Sequence, residues 1–188
     1  MAEARDLAQL IAGCQEGRRK AQRALYEQYA DAFFAICLRY AASEAEAEDF
    51  LQEAFVRIFK CIRDYRHEGS FEGWMRRIVV NTTISELRRQ HPQWVSLEEE
   101  AGSDVHKLSV EDIFAKIAAE DLLIVIQQLP AGYRTVFNLY ALEGYNHQEI
   151  GDLCGISAGT SKSQYARARQ MLQRMLAASY PEYKRKIG

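Results

Sequence analysis

GYNHQEIGDLCGISAGTSKSQYARARQMLQRM, residues 144–175, holds two short apolar-periodic runs separated by a glycine and a serine. His147 to Leu153 forms a short helix that offers Ile150 and Leu153 to a core. Gly155 supplies the left-handed turn that other residues resist. Ser157 is a good N-cap for a long final helix, because its hydroxyl can accept one of the backbone N–H groups left unpaired at a helix start. Along that helix Tyr165, Ala168, Leu172 and Met175 keep an inward three-four-three rhythm. Thr160, Lys162, Ser163, Gln164, Ala166, Arg167 and Arg169 are then left outward. No acidic residue lies between Ser157 and Ala178, whereas a solvated bundle helix mixes glutamates into such a face. A helix–turn–helix that reads DNA fits this chemistry: polar and cationic side chains reach base edges, while small hydroxyls and backbone amides hold phosphates.

Outward from this motif the chain reads as helix almost throughout. It has 188 residues, 48% hydrophobic and 27% charged, and only three prolines. Residues 1–90 carry 14 basic and 14 acidic groups, residues 91–120 carry 2 and 7, and residues 121–188 carry 8 and 5. An acidic middle thus separates a neutral front from a mildly basic back. The fold class expected is all-α: two helical domains, 1–90 and 111–188, joined by a flexible acidic linker at 91–110. Ser109 with Asp112 looks like a capping motif at the start of the back domain. There Leu129-Pro130 interrupts the chain, Val136, Phe137 and Tyr140 line the apolar side of the next helix, and Gly144 closes it.

The front domain opens with Leu7, Leu10, Ile11 and Cys14 at helical spacing, ended by Gly17. A second helix covers roughly Arg19 to Ala41, with Leu25, Tyr29, Phe33 and Ile36 on one side. Ser43 and Glu46 make a capping box. From it Ala47, Leu51, Ala54, Phe55, Ile58 and Ile62 run as one stripe, opposed by Glu48, Asp49, Gln52 and Glu53. Those polar groups alone read as an ordinary solvated face near a positive helix N-terminus. The loop YRHEGS at 65–70 leads, through Ser70 as N-cap, into a helix from Phe71 to about Gln90. Phe71, Trp74, Ile78, Ile84 and Leu87 can face inward there, and Arg76, Arg77, Asn81, Arg88 and Arg89 project elsewhere. Aromatics beside arginines can stack on unpaired bases while phosphates are neutralised. Core aromatics plus soluble charges is the plainer alternative.

Other chemistries find little support. Gly155 to Ser163 is not G-x-x-x-x-G-K and no strand precedes it, so it is no phosphate loop. His67, His91, His106 and His147 lack ligand-like spacing with the cysteines, so no metal or other cofactor is expected. No nucleophile–base pair recommends itself, and no intrinsic catalysis is expected. Cys14, Cys37 and Cys61 sit in apolar helical runs and read as buried reduced thiols. No stretch approaches the ~18 apolar residues of a membrane span, and no signal peptide is visible. A cytoplasmic protein without membrane insertion is the expectation.

Residues 144–172 resemble the second DNA-binding region of the extracytoplasmic-function sigma factors of bacterial RNA polymerase. The family pattern is met by Glu149-Ile150, Gly155-Ile156-Ser157, Gly159-Thr160-Ser161-Lys162-Ser163 and Arg167-Ala168-Arg169. The front domain is similar too: AEDFLQEAF at 47–55 resembles the family's polymerase-clamp-binding helix, and the Phe71, Trp74, Asn81 series its promoter-melting helix. The resemblance implies partners and roles. Core RNA polymerase (largest-subunit clamp and flap) would be a partner, with Glu48, Asp49, Gln52 and Glu53 binding a basic coiled-coil surface on the largest subunit. The loop Arg66, His67, Glu68, Gly69 and Ser70 would hold a base flipped from the −10 element of promoter DNA. Phe71, Trp74, Arg77 and Asn81 would lie against the separated strand, with Arg88 and Arg89 near upstream phosphates. Thr160, Lys162, Ser163, Gln164, Ala166 and Arg167 would read the −35 element, and the acidic linker would thread toward the polymerase active site. An anti-sigma factor is a further partner that the family implies. Two positions depart from many relatives, which carry valine where Ser161 stands and arginine where Gln164 stands. Glutamine prefers an adenine edge and arginine a guanine. The competing readings are a stand-alone helix–turn–helix regulator and a protein-only helical adaptor of the sigma/anti-sigma type.

Overall fold

The computed structural model describes residues 2–90 and 119–179, and every regular element among them is helical. The described residues fall into two compact units divided after Leu87. The linker at 91–110 and the Ser109–Asp112 cap lie outside the described residues.

The front unit is built from α1 (Ala2–Gln15), α2 (Arg19–Leu38), α3 (Glu44–Cys61), a 3₁₀ turn (Ile62–Asp64) and α4 (Phe71–Gln90), whose last three residues fall past the division. Gly17 ends α1 with φ 75°, a conformation that a Cβ makes costly. Ser43 caps α3 by accepting from the Glu46 N–H at 3.2 Å. The Glu46 carboxylate reaches back to the N–H of Ala42 rather than that of Ser43, a box closed one residue early. All six residues of the expected α3 stripe are buried, and Phe50 joins them. Phe55 is the centre of an aromatic layer, with Tyr26, Phe33 and Phe59 at ring distances of 4.7, 6.0 and 5.9 Å. Helix α4 is buried more broadly than its periodicity implies. Met75, Val79, Val80, Thr82 and Thr83 are enclosed together with Phe71, Ile84 and Leu87, while Trp74 and Ile78 are only half-buried. A helix apolar on more than one side has neighbours on more than one side.

The back unit contains α5 (Ala119–Gln127), α6 (Ala131–Phe137), a π turn (Asn138–Leu142), α7 (His147–Cys154) and α8 (Ala158–Ser179). Its core joins Val125, Ile126, Leu129, Tyr133 and Phe137 to Ala168, Leu172 and Leu176 of α8. The single helix expected over 131–144 is interrupted at Asn138 by the π turn. That widening rotates Tyr140 away from the apolar side on which helical spacing places it, and leaves it 40% exposed.

All four cysteines are free thiols. Cys14, Cys37 and Cys154 are buried, and Cys61 is half-buried rather than fully enclosed. Burial pushes the Cys37 thiol up to about 11 and the Cys154 thiol to about 12, so both stay protonated and unreactive at neutral pH.

Candidate nucleic-acid interface

The helix–turn–helix is formed by α7, the turn Gly155–Ser157 and α8. A capping box opens α7: Asn146 accepts from the N–H groups of Gln148 and Glu149 at 2.9 and 3.0 Å, and the Glu149 carboxylate accepts from Asn146 N–H at 2.8 Å. The N-x-x-E pattern at 146–149 is the sequence signal for this box. Gly155 closes α7 in the left-handed conformation, φ 74° and ψ 35°. Gly151 is required for another reason. A Cβ there would lie 2.7 Å from the carbonyl oxygen of Ile156, so only glycine lets the turn fold this tightly onto α7. Ser157 caps α8, accepting from the Thr160 N–H at 2.9 Å. Its hydroxyl also meets the Thr160 hydroxyl at 2.9 Å.

On α8, Lys162 and Ser163 are exposed, and Thr160, Ala166 and Arg167 are half-buried. Spaced along the first three turns, they form one face free of carboxylates. The Arg167 guanidinium is steadied from α6, donating to the Tyr133 hydroxyl at 3.4 Å. Gln164 departs from the expectation. It is 2% exposed, and neither atom of its amide has a hydrogen-bond partner among the described residues. Position 164 is three residues after buried Ser161 and four before buried Ala168, so it belongs to the inner stripe rather than the outward set. Ser161 is fully buried, and its hydroxyl pairs with His147 Nδ1 at 2.9 Å.

In the front unit a second polar face follows one side of α4. Arg77, Asn81 and Arg88 are exposed and Trp74 is half-buried, at spacings that align them along the helix. Arg89 is exposed next to them. Phe71 does not share this face. It is 4% exposed and lies beneath Trp74, the two rings stacked 5.6 Å apart at 18°. Phe71 therefore supports the face from beneath rather than lying on it.

The loop before α4 is exposed from Arg66 to Ser70. His67 has φ 60°, a left-handed conformation that costs a non-glycine residue roughly 1–2 kcal/mol. Gly69 follows with φ 84°. Both are held by Tyr65, a residue with no signal of its own in the sequence. The Tyr65 ring contacts His67, Phe71 and Trp74 at 4.8, 5.0 and 5.2 Å, and its hydroxyl donates to the Gly69 carbonyl at 3.1 Å. Ser70 ends the loop by capping α4, accepting from Gly73 N–H at 3.3 Å.

A third face lies on α3. Glu48, Asp49, Gln52 and Glu53 are all exposed. Val56, one turn on from Gln52, is 44% exposed and places an apolar group at the end of the acid row. A sequence reading that sorts by polarity has no signal for it. Among the described residues no group of histidines, cysteines and carboxylates could hold a metal ion, and no helix is long and apolar enough to cross a membrane.

Comparison with known proteins identifies both units. Residues 25–92 match the family model Sigma-70 region 2, and residues 119–172 match Sigma-70, region 4. The ECF RNA polymerase sigma factor SigW of Bacillus subtilis is 30% identical over 171 residues, covering 86% of this chain and 91% of SigW. The ECF RNA polymerase sigma factor SigE of Mycolicibacterium smegmatis is 32% identical over 161 residues, 81% of this chain and 60% of SigE. Among solved structures, the sigma factor RpoE in complex with the anti-sigma factor NepR from Bartonella quintana shares the fold at 19% identity. Its TM-score is 0.51, over 82% of this chain and 95% of RpoE. The chain belongs to the ECF sigma factors, which direct RNA polymerase to specific promoters.

Proposed function

We propose that the work of this sigma factor is divided among the three exposed faces. Glu48, Asp49, Gln52 and Glu53 of α3, with Val56 at their edge, dock on a basic surface of the polymerase's largest subunit. The loop Arg66–Ser70 takes a base flipped out of the −10 element. Unstacking a base costs a few kcal/mol, and a loop already shaped by Tyr65 and Gly69 lowers the ordering cost of receiving it. Trp74, Arg77 and Asn81 support the separated strand, with Arg88 and Arg89 near upstream phosphates. Helix α8 enters the major groove at the −35 element, where Lys162, Ser163, Ala166 and Arg167 meet base edges and Thr160 sits near the phosphates. Gln164, enclosed as it is, takes no part in that contact.

The observation that carries this reading is the opposite chemistry of α3 and α8 within one chain. One face is acidic and suits a basic protein surface; the other lacks any carboxylate over more than five turns and suits a polyanion. The domains proposed are 1–90 for polymerase and −10 contacts, 91–110 as linker, and 111–188 for the −35 element. The linker threads toward the polymerase active site, and the back domain reaches the flap. The chain works in the cytoplasm without catalysis or cofactor of its own, because RNA synthesis belongs to the polymerase. RpoE of Bartonella quintana forms a complex with the anti-sigma factor NepR, and a protein of that kind is proposed here to cover these faces when the factor is silent.

The test combines purified core polymerase, this chain and a promoter fragment, scored for transcription start. Specific starts that require both proteins support the reading. Promoter binding by this chain without polymerase would favour a stand-alone regulator, and the absence of any start would favour a protein-only adaptor.

A further inference from the structure

Ser161 on α8 is fully buried, and a hydroxyl so enclosed must be hydrogen-bonded. The hydroxyl is satisfied by His147 Nδ1 at 2.9 Å. His147 is the first residue of α7, and Ser161 lies in the first turn of α8, so one bond joins the beginnings of the two helices.

The imidazole is fixed on its other side as well. It stacks on Tyr140 of the π turn at 4.4 Å and 12°, and Tyr165 of α8 closes on it at 6.0 Å. Tyr140 and Tyr165 meet each other at 4.5 Å, completing a three-ring clamp over the helix–turn–helix. A π turn is thus put to use, since the rotation it causes brings Tyr140 over the ring.

Burial and a neighbouring cation both weigh against a charged ring there. From the elements packed against it, the ring meets the neutral side chain of Tyr140 on one side, and Ser161, Tyr165 and the cation Lys162 of α8 on the other. The N-terminal end of its own helix carries a partial positive charge. The α7 carboxylate nearest in sequence, Glu149, is engaged by the Asn146 N–H. Burial and then Lys162 hold the imidazole below its ordinary 6.5.

We propose that His147 is a positioning residue for the DNA-reading helix: its neutral imidazole holds Ser161, and with it the first turns of α8, at the angle base reading requires, so that acid weakens promoter discrimination. This rests on α8 being the base-reading helix. The sign follows from the neutral form being the one the fold prefers. The contribution is complete above the unfolded value near 6.5, and is lost as the pH falls from there through the lower value of the folded protein. The loss falls on Lys162 and Ser163, which flank the next turn of the same helix.

The experiment uses the holoenzyme and two duplex promoters, one recovered by selection with that holoenzyme and the same duplex with its −35 block scrambled. The ratio of specific transcripts from the two, taken from about pH 8 to about pH 5.5, cancels the polymerase's own pH dependence and spans the histidine range. The wild-type ratio falls across this range. In His147→Gln, which keeps an amide toward Ser161 but cannot become charged, the ratio stays level. Ser161→Ala, with the bond gone, lowers the ratio by about two- to tenfold already at the alkaline end, the range set by one hydrogen bond. In the full chain the His147 ring, followed by NMR, titrates below 6.5. A His147→Gln ratio that falls in parallel with wild type, a Ser161→Ala ratio equal to wild type, or a ring that titrates at or above 6.5 overturns the positioning role. If instead the two duplexes are never distinguished, at any pH, the reading of α8 falls and this role falls with it.

Discussion

Tyr65→Phe removes one oxygen and little else. The ring keeps its contacts with His67, Phe71 and Trp74, all within 5.2 Å, so the packing of the front unit is retained. What is lost is the 3.1 Å hydrogen bond from the phenol to the Gly69 carbonyl, the bond that fixes the left-handed turn His67–Gly69 against α4. Tyr65 is 8% exposed, whereas Gly69 is exposed and its carbonyl can turn to water, so no orphaned acceptor is created. The cost is therefore the net value of one part-buried bond, about 0.5–1.5 kcal/mol, rather than the larger penalty for a stranded group. That energy appears in the loop's readiness and not in global unfolding. We expect strand opening at the −10 element, read by permanganate reactivity of unpaired thymines in the holoenzyme–promoter complex, to weaken by about two- to tenfold. Polymerase association should stay at its wild-type level. Tyr65→Ala, which removes the ring that ties three aromatic neighbours together, should instead destabilise the front unit by about 3–5 kcal/mol. Wild-type permanganate reactivity in Tyr65→Phe would refute the claim that this hydroxyl shapes the loop.

Three further sets of substitutions have definite outcomes. Gln52→Ala with Glu53→Ala should impair pull-down of core polymerase while leaving the melting temperature near wild type, because both side chains are exposed; undiminished capture would remove α3 from the docking face. Arg167→Ala should change discrimination among −35 variants by ~1–3 kcal/mol in a transcription competition. Tyr133→Phe, which frees that guanidinium from its 3.4 Å hydroxyl partner, should act in the same direction and more weakly. Gly151→Ala should lower the thermal stability of the back unit by about 1–3 kcal/mol, since its methyl would meet the backbone carbonyl of Ile156 at 2.7 Å and backbone cannot swing aside.

Features governed by local chemistry are legible in the sequence. The Ser43 and Ser157 caps, the left-handed Gly155 and the apolar stripe of α3 each follow from residue types within a few positions of one another. Features decided by the packing of remote elements are not. Nothing near Gln164 announces that it is enclosed; its neighbours Ser163 and Lys162 are exposed, and its place on the inner stripe emerges only once Ser161 is known to be buried too. Phe71 and Trp74 look alike in the sequence, yet the α4 backbone puts one ring under the other. The π turn leaves no periodic trace, so helical spacing puts Tyr140 on the wrong side. Tyr65 and His147 escape a reading by pattern because each acts through residues distant along the chain or across a turn, the pairing of His147 with Ser161 spanning 14 positions.

The division of labour between α3 and α8 is tested most directly by photo-crosslinking in the holoenzyme–promoter complex, with the photoreactive group placed at Lys162 in one preparation and at Gln52 in another. Both sites are exposed. Position 162 is expected to join to duplex DNA at the −35 element and position 52 to the largest polymerase subunit. Crosslinks from position 162 to protein with none to DNA, or from position 52 to promoter DNA, would contradict it.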